Sequence, residues 1–313
     1  MNPIPDRAPK SPCCLPRVEI VHVASVAQAR ELAALGYCPI ECSFGTESVV
    51  DGFAMDHHGS FSHLESVAVR ACRDHLGVRK SDPRFVVTGA ADADATLAIA
   101  TLAGLLPTHP SRIAELLQLA ALVHQADVSP IGLRLEETDL GIQLLLWKRL
   151  ASGVQDATAF HAGVDRWRML LSGRPPKSLL TAVQLEERDR VASARAAKVE
   201  LHGSHVGFVE SEVWGFDVWY AEVRPVIIAY VAASQRATIG CRDLETAKRL
   251  FGPAGLMSIY PQLAPAGWGG RETVGGSPRD ARLTRDNAVS AARLLRRASE
   301  LSPVSQNRPG RVE

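Results

Sequence analysis

The stretch FVVTGAADADATLAIATLAGLL, residues 85–106, decides the fold class of this 313-residue chain. Its first residues are apolar and β-branched, as in a buried strand, and its later residues repeat small and apolar side chains at helical spacing. The turn between the two parts carries Asp92 and Asp94. A strand that passes through a short polar turn into a helix is typical of an open α/β sheet.

A second strand–turn–helix pattern comes earlier in the chain. Residues 49–55 predict a strand, and Asp56, His57 and His58 follow it directly. In open α/β sheets, ligands bind at the carboxyl ends of the strands. We therefore expect the two polar turns to lie close together, and their carboxylates and imidazoles suit Mn²⁺, Mg²⁺, Fe²⁺ or Zn²⁺.

The remaining pattern predicts a mostly parallel, doubly wound sheet domain followed by a smaller α/β domain. Strands are predicted at residues 18–24, 38–44, 49–55, 85–88, 206–213, 218–223 and 226–232. Helices are predicted at residues 26–35, 62–76, 95–106, 156–171, 178–199, 244–251 and 286–300, and residues 110–150 also have a helical pattern. The helix at 62–76 has a capping box of Ser62 and Glu65. The predicted parts are a tail at 1–17, a metal-binding domain at 18–175, a linker helix at 176–199, a substrate-binding domain at 200–300 and a tail at 301–313.

The composition argues against two classes of partner, long nucleic acids and membranes. The formal net charge is +1, and no basic stripe interleaved with aromatic residues occurs, which argues against a long nucleic acid as partner. No apolar segment is long enough to span a bilayer, and the N-terminus lacks the apolar core of a signal peptide, so we expect a cytoplasmic protein without membrane contact. The six cysteines form no Cys-x-x-Cys pair, which favours reduced thiols. A homodimer is compatible with the sequence.

Together, the two polar turns resemble the motifs of the DHH phosphoesterase superfamily. Asp56-His57-His58 before a helix, and Asp92-x-Asp94-Ala95 at a strand–helix turn, carry this resemblance. That superfamily includes RecJ-type exonucleases, exopolyphosphatases and MYG-type metal-dependent hydrolases. Residues 119–130 resemble its last aspartate motif, and the resemblance extends over about residues 18–298.

The resemblance implies a metal site with two ions that activate a water molecule. It makes Mn²⁺ the expected ion, and the implied ligands are His57, Asp92, Asp94 and Asp127. It implies that His58 contacts the substrate phosphate or assists the leaving group. Asp56 is then either a ligand or the residue that orients a histidine.

The sequence departs from the family pattern at three points. Asp-His-His precedes Asp-x-Asp, as if the motif order were permuted, and Thr88 stands where the family usually has a histidine. His22, on the first predicted strand, is the candidate to supply that imidazole. The candidates for the family's middle aspartate are Glu41, Cys42, Glu47 and Asp51.

A glycine-rich segment follows in the second predicted domain. Its candidate substrate-binding residues are Gly269, Gly270, Arg271, Gly275 and Gly276. Backbone N–H groups of such a loop, together with an arginine, form an anion-binding nest. The alternative interpretation is an ordinary turn.

The sequence thus favours a metal-dependent hydrolase that acts on a small phosphorylated or nucleotide-type molecule. One alternative is a repurposed metalloenzyme with a non-phosphate substrate in specialised metabolism, because the ligand set is incomplete. A second alternative is a non-catalytic ligand-binding protein. Asp-His-His also occurs in plain surface turns, and Asp127 is also placed to cap the turn before Ser129.

Overall fold

A computed structural model shows that the chain is an α/β protein with parallel and mixed sheets. It describes residues 17–44, 47–48, 55–56, 65–75, 83–106, 109–128, 133–151, 156–173, 175–278 and 281–301. The strands are β1 (Glu19–His22), β2 (Cys38–Ile40), β3 (Ser43–Phe44), β4 (Glu47–Ser48), β5 (Arg84–Val87), β6 (Lys198–His202), β7 (Val206–Glu210), β8 (Val226–Val231), β9 (Arg236–Cys241), β10 (Gly269–Gly270) and β11 (Val274–Gly276). The helices are α1 (Val26–Ala34), α2 (Val67–His75), α3 (Ala93–Leu102), α4 (Pro110–Val128), α5 (Asp139–Arg149), α6 (Ala157–Ser172), α7 (Lys177–Ala196), α8 (Phe216–Glu222), α9 (Leu244–Phe251) and α10 (Arg285–Leu301).

The chain divides into two compact units. The first contains the chain up to His124 together with Thr138–Leu180, and the second contains Gln125–Glu137 and the chain from Thr181 onward. The domain boundaries predicted from the sequence remain predictions. Among the described helices, none combines the length and the apolar character that crossing a bilayer requires.

In the first unit, β5 lies between β1 and β2, and all three strands are parallel. Phe85, Val86 and Val87 of β5 are fully buried, which explains why this strand reads as a continuous apolar run. Helix α3 is buried at every position from 94 to 102, and both α2 and α6 pack on it. The α/β class is confirmed, whereas the doubly wound arrangement stays a prediction because only three strands of this sheet are described.

The predicted strand at residues 38–44 is divided in the structure. Glu41 has a φ of 51°, in the left-handed region, so extended pairing of β2 ends at Ile40. Ser43–Phe44 instead pairs with Glu47–Ser48 in a separate two-stranded sheet. Of the predicted strand at 49–55, the described end is Met55, which forms a parallel bridge to Ile40.

The second unit is built on a six-stranded sheet in the order β10-β11-β9-β8-β7-β6. Strands β7 and β8 run parallel, and the other neighbours are antiparallel. Alternate residues of the sheet enter two different cores. Phe208 and Ile228 pack with α9 and α10, whereas Val209 and Ile227 pack with α7 and α8.

The predicted strand at residues 218–223 is wrong, because this segment lies in α8. Trp219 is buried and donates from Nε1 to the carbonyl of Ala194 at 2.8 Å, and Phe216 packs one turn before it on the same helix face. This packing outweighs the strand preference of the valines and aromatic residues. The helix predicted at residues 178–199 ends at Ala196, and β6 begins at Lys198 instead. The sequence analysis predicted no element at β9.

We expect His202, on β6, to make stability depend on pH. Burial lowers the pKa of His202 below its ordinary 6.5, and its Nε2 has no hydrogen-bond partner among the described residues. As the pH falls, the imidazole of His202 is therefore protonated in the unfolded chain before it is protonated in the folded protein. The contribution of neutral His202 to stability is present above pH 6.5 and is lost as the pH falls from there through the folded-state pKa. Urea unfolding should show that the free energy of unfolding falls less between about pH 7 and about pH 5 in His202→Gln than in the parent protein. His161→Gln is the control, and an equal change in both variants would contradict the assignment.

Candidate active site

The carboxyl ends of the parallel strands in the first unit meet at one level. His22 of β1 and Ile40 of β2 both lie opposite Val87 of β5, and Ile40 also bridges Met55. The residues that follow these positions therefore emerge at the same edge of the sheet, and we call this edge the carboxyl edge. His22, Glu41, Asp56 and the turn after β5 all lie at the carboxyl edge, and the approach of the two polar turns to each other remains a prediction.

Two acidic residues of the carboxyl edge are buried. Asp56 is 0% exposed and Glu41 is 8% exposed. Glu41 also adopts the left-handed backbone conformation, which costs a non-glycine residue about 1 kcal/mol. Its N–H donates to the carbonyl of Met55 at 2.8 Å, which holds the strained residue in place. Strained backbone and buried carboxylates are both concentrated at functional sites in proteins.

The two aspartates of the turn after β5 have different environments. Asp92 is exposed and is the N-cap of α3, where its Oδ1 accepts from the N–H of Ala95 at 2.8 Å. Asp94 is 2% exposed, and its two oxygens accept from the N–H groups of Val67 and Ala68 at 3.0 and 3.1 Å. Asp94 therefore caps the N-terminus of a different helix, α2.

The start of α2 corrects the predicted capping box. The helix begins at Val67, so Glu65 and Ser66 precede it, and Ser62 lies outside the described residues. The N–H of Ser66 donates to Nδ1 of His124 at 3.3 Å. The first N–H groups of α2 are thus capped by residues distant in the sequence, and a local motif does not reveal such partners.

Arg70, on α2, bonds to the first residue of the Asp-His-His motif and was not identified from the sequence. Its Nη2 donates to the carbonyl of Asp56 at 2.6 Å, and its Nε donates to the carbonyl of Glu65 at 3.0 Å. Burial lowers the pKa of the Arg70 guanidinium, while the negative charges of Asp94 and Asp56 act in the opposite direction. The guanidinium therefore provides positive charge beside both acidic turns.

His22 and Cys42 also lie at the carboxyl edge. Nε2 of His22 donates to the carbonyl of Gly89 at 3.0 Å, so in the neutral ring the lone pair is on Nδ1. The Cys42 thiol donates to the carbonyl of Val86 at 3.1 Å, and burial raises its pKa to about 12. Without a bound ion, Cys42 is therefore a neutral thiol.

Helix α6 fixes the position of the turn after β5. Trp167 donates from Nε1 to the carbonyl of Ala93, at 3.2 Å, and to Oγ1 of Thr96. Gly163 permits this close approach, because a Cβ there would lie 2.6 Å from Cγ2 of Thr96. No local sequence pattern indicates this contact, which joins residues more than seventy positions apart.

The structure describes only some of the other predicted site residues. His57 and His58 lie outside the described residues. Asp127 is exposed near the end of α4 and belongs to the second unit. Within the described ranges, no group of three or more His, Cys, Asp or Glu side chains is close enough to hold a metal ion. The metal site therefore remains a prediction that depends on the Asp-His-His turn.

The glycine-rich segment forms a β-hairpin. Gly269 pairs with Gly276 and Gly270 with Gly275, while the N–H of Arg271 donates to the carbonyl of Val274 at 2.7 Å. Added Cβ atoms at Gly269 and Gly276 would meet nothing within 4 Å, so one side of the hairpin is open. The side chain of Arg271 is exposed, whereas its N–H is already engaged within the hairpin.

Comparison with protein-family models and with curated proteins gives no match to this chain.

Proposed function

We propose that this protein is a metal-dependent hydrolase, with its reaction centre at the carboxyl edge of the first unit. The observation that supports this most strongly is the emergence of Glu41, Asp56 and the Asp92 turn from neighbouring parallel strands at one level, together with His22. Open α/β sheets bind their ligands at such an edge. The strain at Glu41 and the complete burial of Asp56 support the same location.

The donor types at this edge fit a hard divalent ion such as Mn²⁺ or Mg²⁺. Asp92 and Asp56 offer carboxylate oxygens, and Nδ1 of His22 offers an imidazole lone pair. In the proposal His57 completes this set. A bound ion of this kind supplies a water molecule of lowered pKa and neutralises charge on a phosphoryl group.

The protein's own residues position these donors. The bond from Arg70 to the carbonyl of Asp56 fixes the start of the Asp-His-His turn, and the bond from Trp167 to the carbonyl of Ala93 fixes the turn after β5. We assign His58 to the leaving group, and the exposed guanidinium of Arg271 is a separate candidate for binding an anion within the second unit. The small phosphorylated or nucleotide-type substrate is part of the proposal.

The capping role of Asp94 favours the second candidate function, a one-metal enzyme with a non-phosphate substrate. Both Asp94 oxygens already accept N–H groups of α2, which accounts for its burial without any metal. If Asp94 is structural, the site has one carboxylate fewer than a two-ion site needs. The metal stoichiometry separates the two candidates, since two ions indicate the phosphoesterase and one ion indicates the repurposed enzyme.

The variant Asp92→Asn tests the proposed function. Asparagine caps a helix as well as aspartate, so we expect the free energy of unfolding to stay within about 0.5 kcal/mol of the parent value. The loss of the carboxylate charge should lower the affinity for Mn²⁺ about 100-fold or more, with hydrolysis of a phosphoester panel falling in parallel. Elemental analysis and titration with Mn²⁺ measure the binding.

Two results would contradict the proposal. One is unchanged Mn²⁺ affinity in Asp92→Asn and in His57→Ala. The other is a parent protein that takes up no divalent ion even after reconstitution. Glu245→Gln, on α9 of the second unit, is the matched control, because it removes one exposed carboxylate far along the chain.

A further inference from the structure

Strand β6 is the terminal strand of the six-stranded sheet in the second unit. It pairs with β7 on one side, and no other described strand pairs with it. A strand in this position presents unpaired N–H and C=O groups along its outer side. Proteins normally protect such an edge with a proline, a bulge, inward-pointing charges or a covering segment, because an unprotected edge recruits another strand.

A proline and a bulge, two of these protections, are absent from β6, and its charged side chains are Lys198 and Glu200. Its five residues contain no proline, and its register with β7 is continuous from Lys198 to His202 without a bulge. Val199 is 37% exposed and Leu201 is 55% exposed, and both side chains point to the same face. These two neighbouring exposed residues give the edge strand a small apolar surface for a partner strand to cover.

We propose that β6 pairs antiparallel with β6 of a second copy of this chain, around a two-fold axis at Val199. This interface extends two six-stranded sheets into one continuous sheet. The inference is independent of the proposed hydrolase function, because it rests on the second unit alone.

Charge complementarity selects the second copy as the partner and fixes the register. With Val199 opposite the partner's Val199, Lys198 lies opposite the partner's Glu200, and the two-fold axis repeats this opposite-charge pair. Leu201 then faces the partner's Ala197. Opposite charges and apolar pairs directly across two strands are stabilising.

Other registers are less favourable. Centring the pairing on Glu200 places two carboxylates directly opposite each other, which is destabilising. A hydrogen bond from Arg285 lowers the pKa of Glu200, so these carboxylates are charged at neutral pH, and the same guanidinium offsets part of their mutual repulsion. A register shifted by one residue would place Val199 opposite a charged side chain of the partner. The apolar side chains of the two strands would then point to opposite faces of the sheet.

The short overlap predicts a reversible dimer. Pairing along one short strand buries less surface than a standard protein interface, so the dimer should form in a concentration-dependent way. Sedimentation equilibrium over a concentration series measures this association. We expect Val199→Lys and Leu201→Lys to weaken it at least about tenfold, because each places a positive charge on the edge.

Leu185→Lys is the matched control, since Leu185 is 52% exposed on α7 and lies outside the edge strand. It should associate like the parent protein. Circular dichroism and urea unfolding show whether each variant is folded, and the exposure of all three positions makes the substitutions tolerable. Should Val199→Lys not fold, Leu201→Lys carries the same test.

Cysteine cross-linking tests the register. Residues directly opposite in an antiparallel pair have Cα atoms about 4.5–5.5 Å apart, which suits a disulfide. In a background with Cys13, Cys14 and Cys38 changed to serine, Val199→Cys should form a covalent dimer on oxidation, and Glu200→Cys should form much less. The remaining cysteines, Cys42, Cys72 and Cys241, are buried.

Four results decide the proposal. The proposal is supported if the two lysine variants lose the association, Leu185→Lys keeps it, and Val199→Cys forms the covalent dimer. A parent protein that stays monomeric throughout the series overturns it and indicates that another segment or another protein covers β6. A dimer that tolerates both lysine variants overturns it in favour of a different face. Preferential cross-linking through Glu200→Cys overturns the register centred on Val199.

Discussion

Replacing Asp94 with alanine is expected to lower the free energy of unfolding by about 3 kcal/mol, because two N–H groups of α2 lose their acceptor at a buried position. The carboxylate is 2% exposed, so water does not readily replace it. Loss of this cap should loosen α2, which packs on the buried helix α3. Urea unfolding followed by circular dichroism measures the loss, provided that the denaturant slope is unchanged.

The matched control for this prediction is Asp92→Ala. Asp92 caps α3 through a single N–H group and is exposed, so its loss should cost about 1 kcal/mol. Equal losses in the two variants would show that Asp94 is not the main cap of α2. Asp94→Asn adds a second comparison, since its amide NH₂ would face one of the two N–H donors and should recover only part of the stability.

Replacing Arg70 with methionine is expected to lower the free energy of unfolding by about 2 kcal/mol. This value is smaller than the cost of breaking a fully buried ion pair, because the guanidinium is partly exposed. Methionine keeps the apolar stem of the side chain. It removes the donors to the carbonyls of Asp56 and Glu65 and the positive charge beside two buried acids. Urea unfolding at neutral pH measures the effect.

Arg70→Lys separates charge from geometry. Lysine keeps the positive charge but lacks the planar fork that reaches two carbonyls, so it should restore only part of the stability. A double-mutant cycle with Asp94→Asn should show coupling between the two positions, because both act on the N-terminus of α2. Strict additivity of the two losses would mean that Arg70 and Asp94 act separately.

The sequence predicted the elements whose pattern is local. Residues 85–88 are a continuous apolar run, and β5 forms there because a central parallel strand is buried on both faces. The amphipathic residues 244–251 gave α9 with the predicted bounds. The rule that ligands bind at the carboxyl ends of parallel strands directed attention to Asp56 and to the turn after β5, which both follow residues at that edge.

Contacts distant in the sequence could not be predicted in this way. Helix α8 forms because Trp219 reaches the carbonyl of Ala194, and its own residues resemble a strand. Asp94 has the spacing expected of a ligand, yet both oxygens bind α2, and nothing in the local sequence distinguishes those two roles. Arg70 is one of several charged residues on its helix, and only the three-dimensional structure directs it to Asp56.

The indole of Trp167 is an intrinsic fluorophore that lies next to the turn after β5. Its N–H is bonded to the carbonyl of Ala93, between the two aspartates of the turn after β5, and its ring stacks on Trp147 with centroids 5.5 Å apart. An indole emits according to the polarity and hydrogen bonding around it. The chain has five tryptophans. In a variant that keeps only Trp167, an ion or substrate that shifts this turn is therefore expected to alter the ultraviolet emission, so occupancy of the carboxyl edge can be followed without a known reaction.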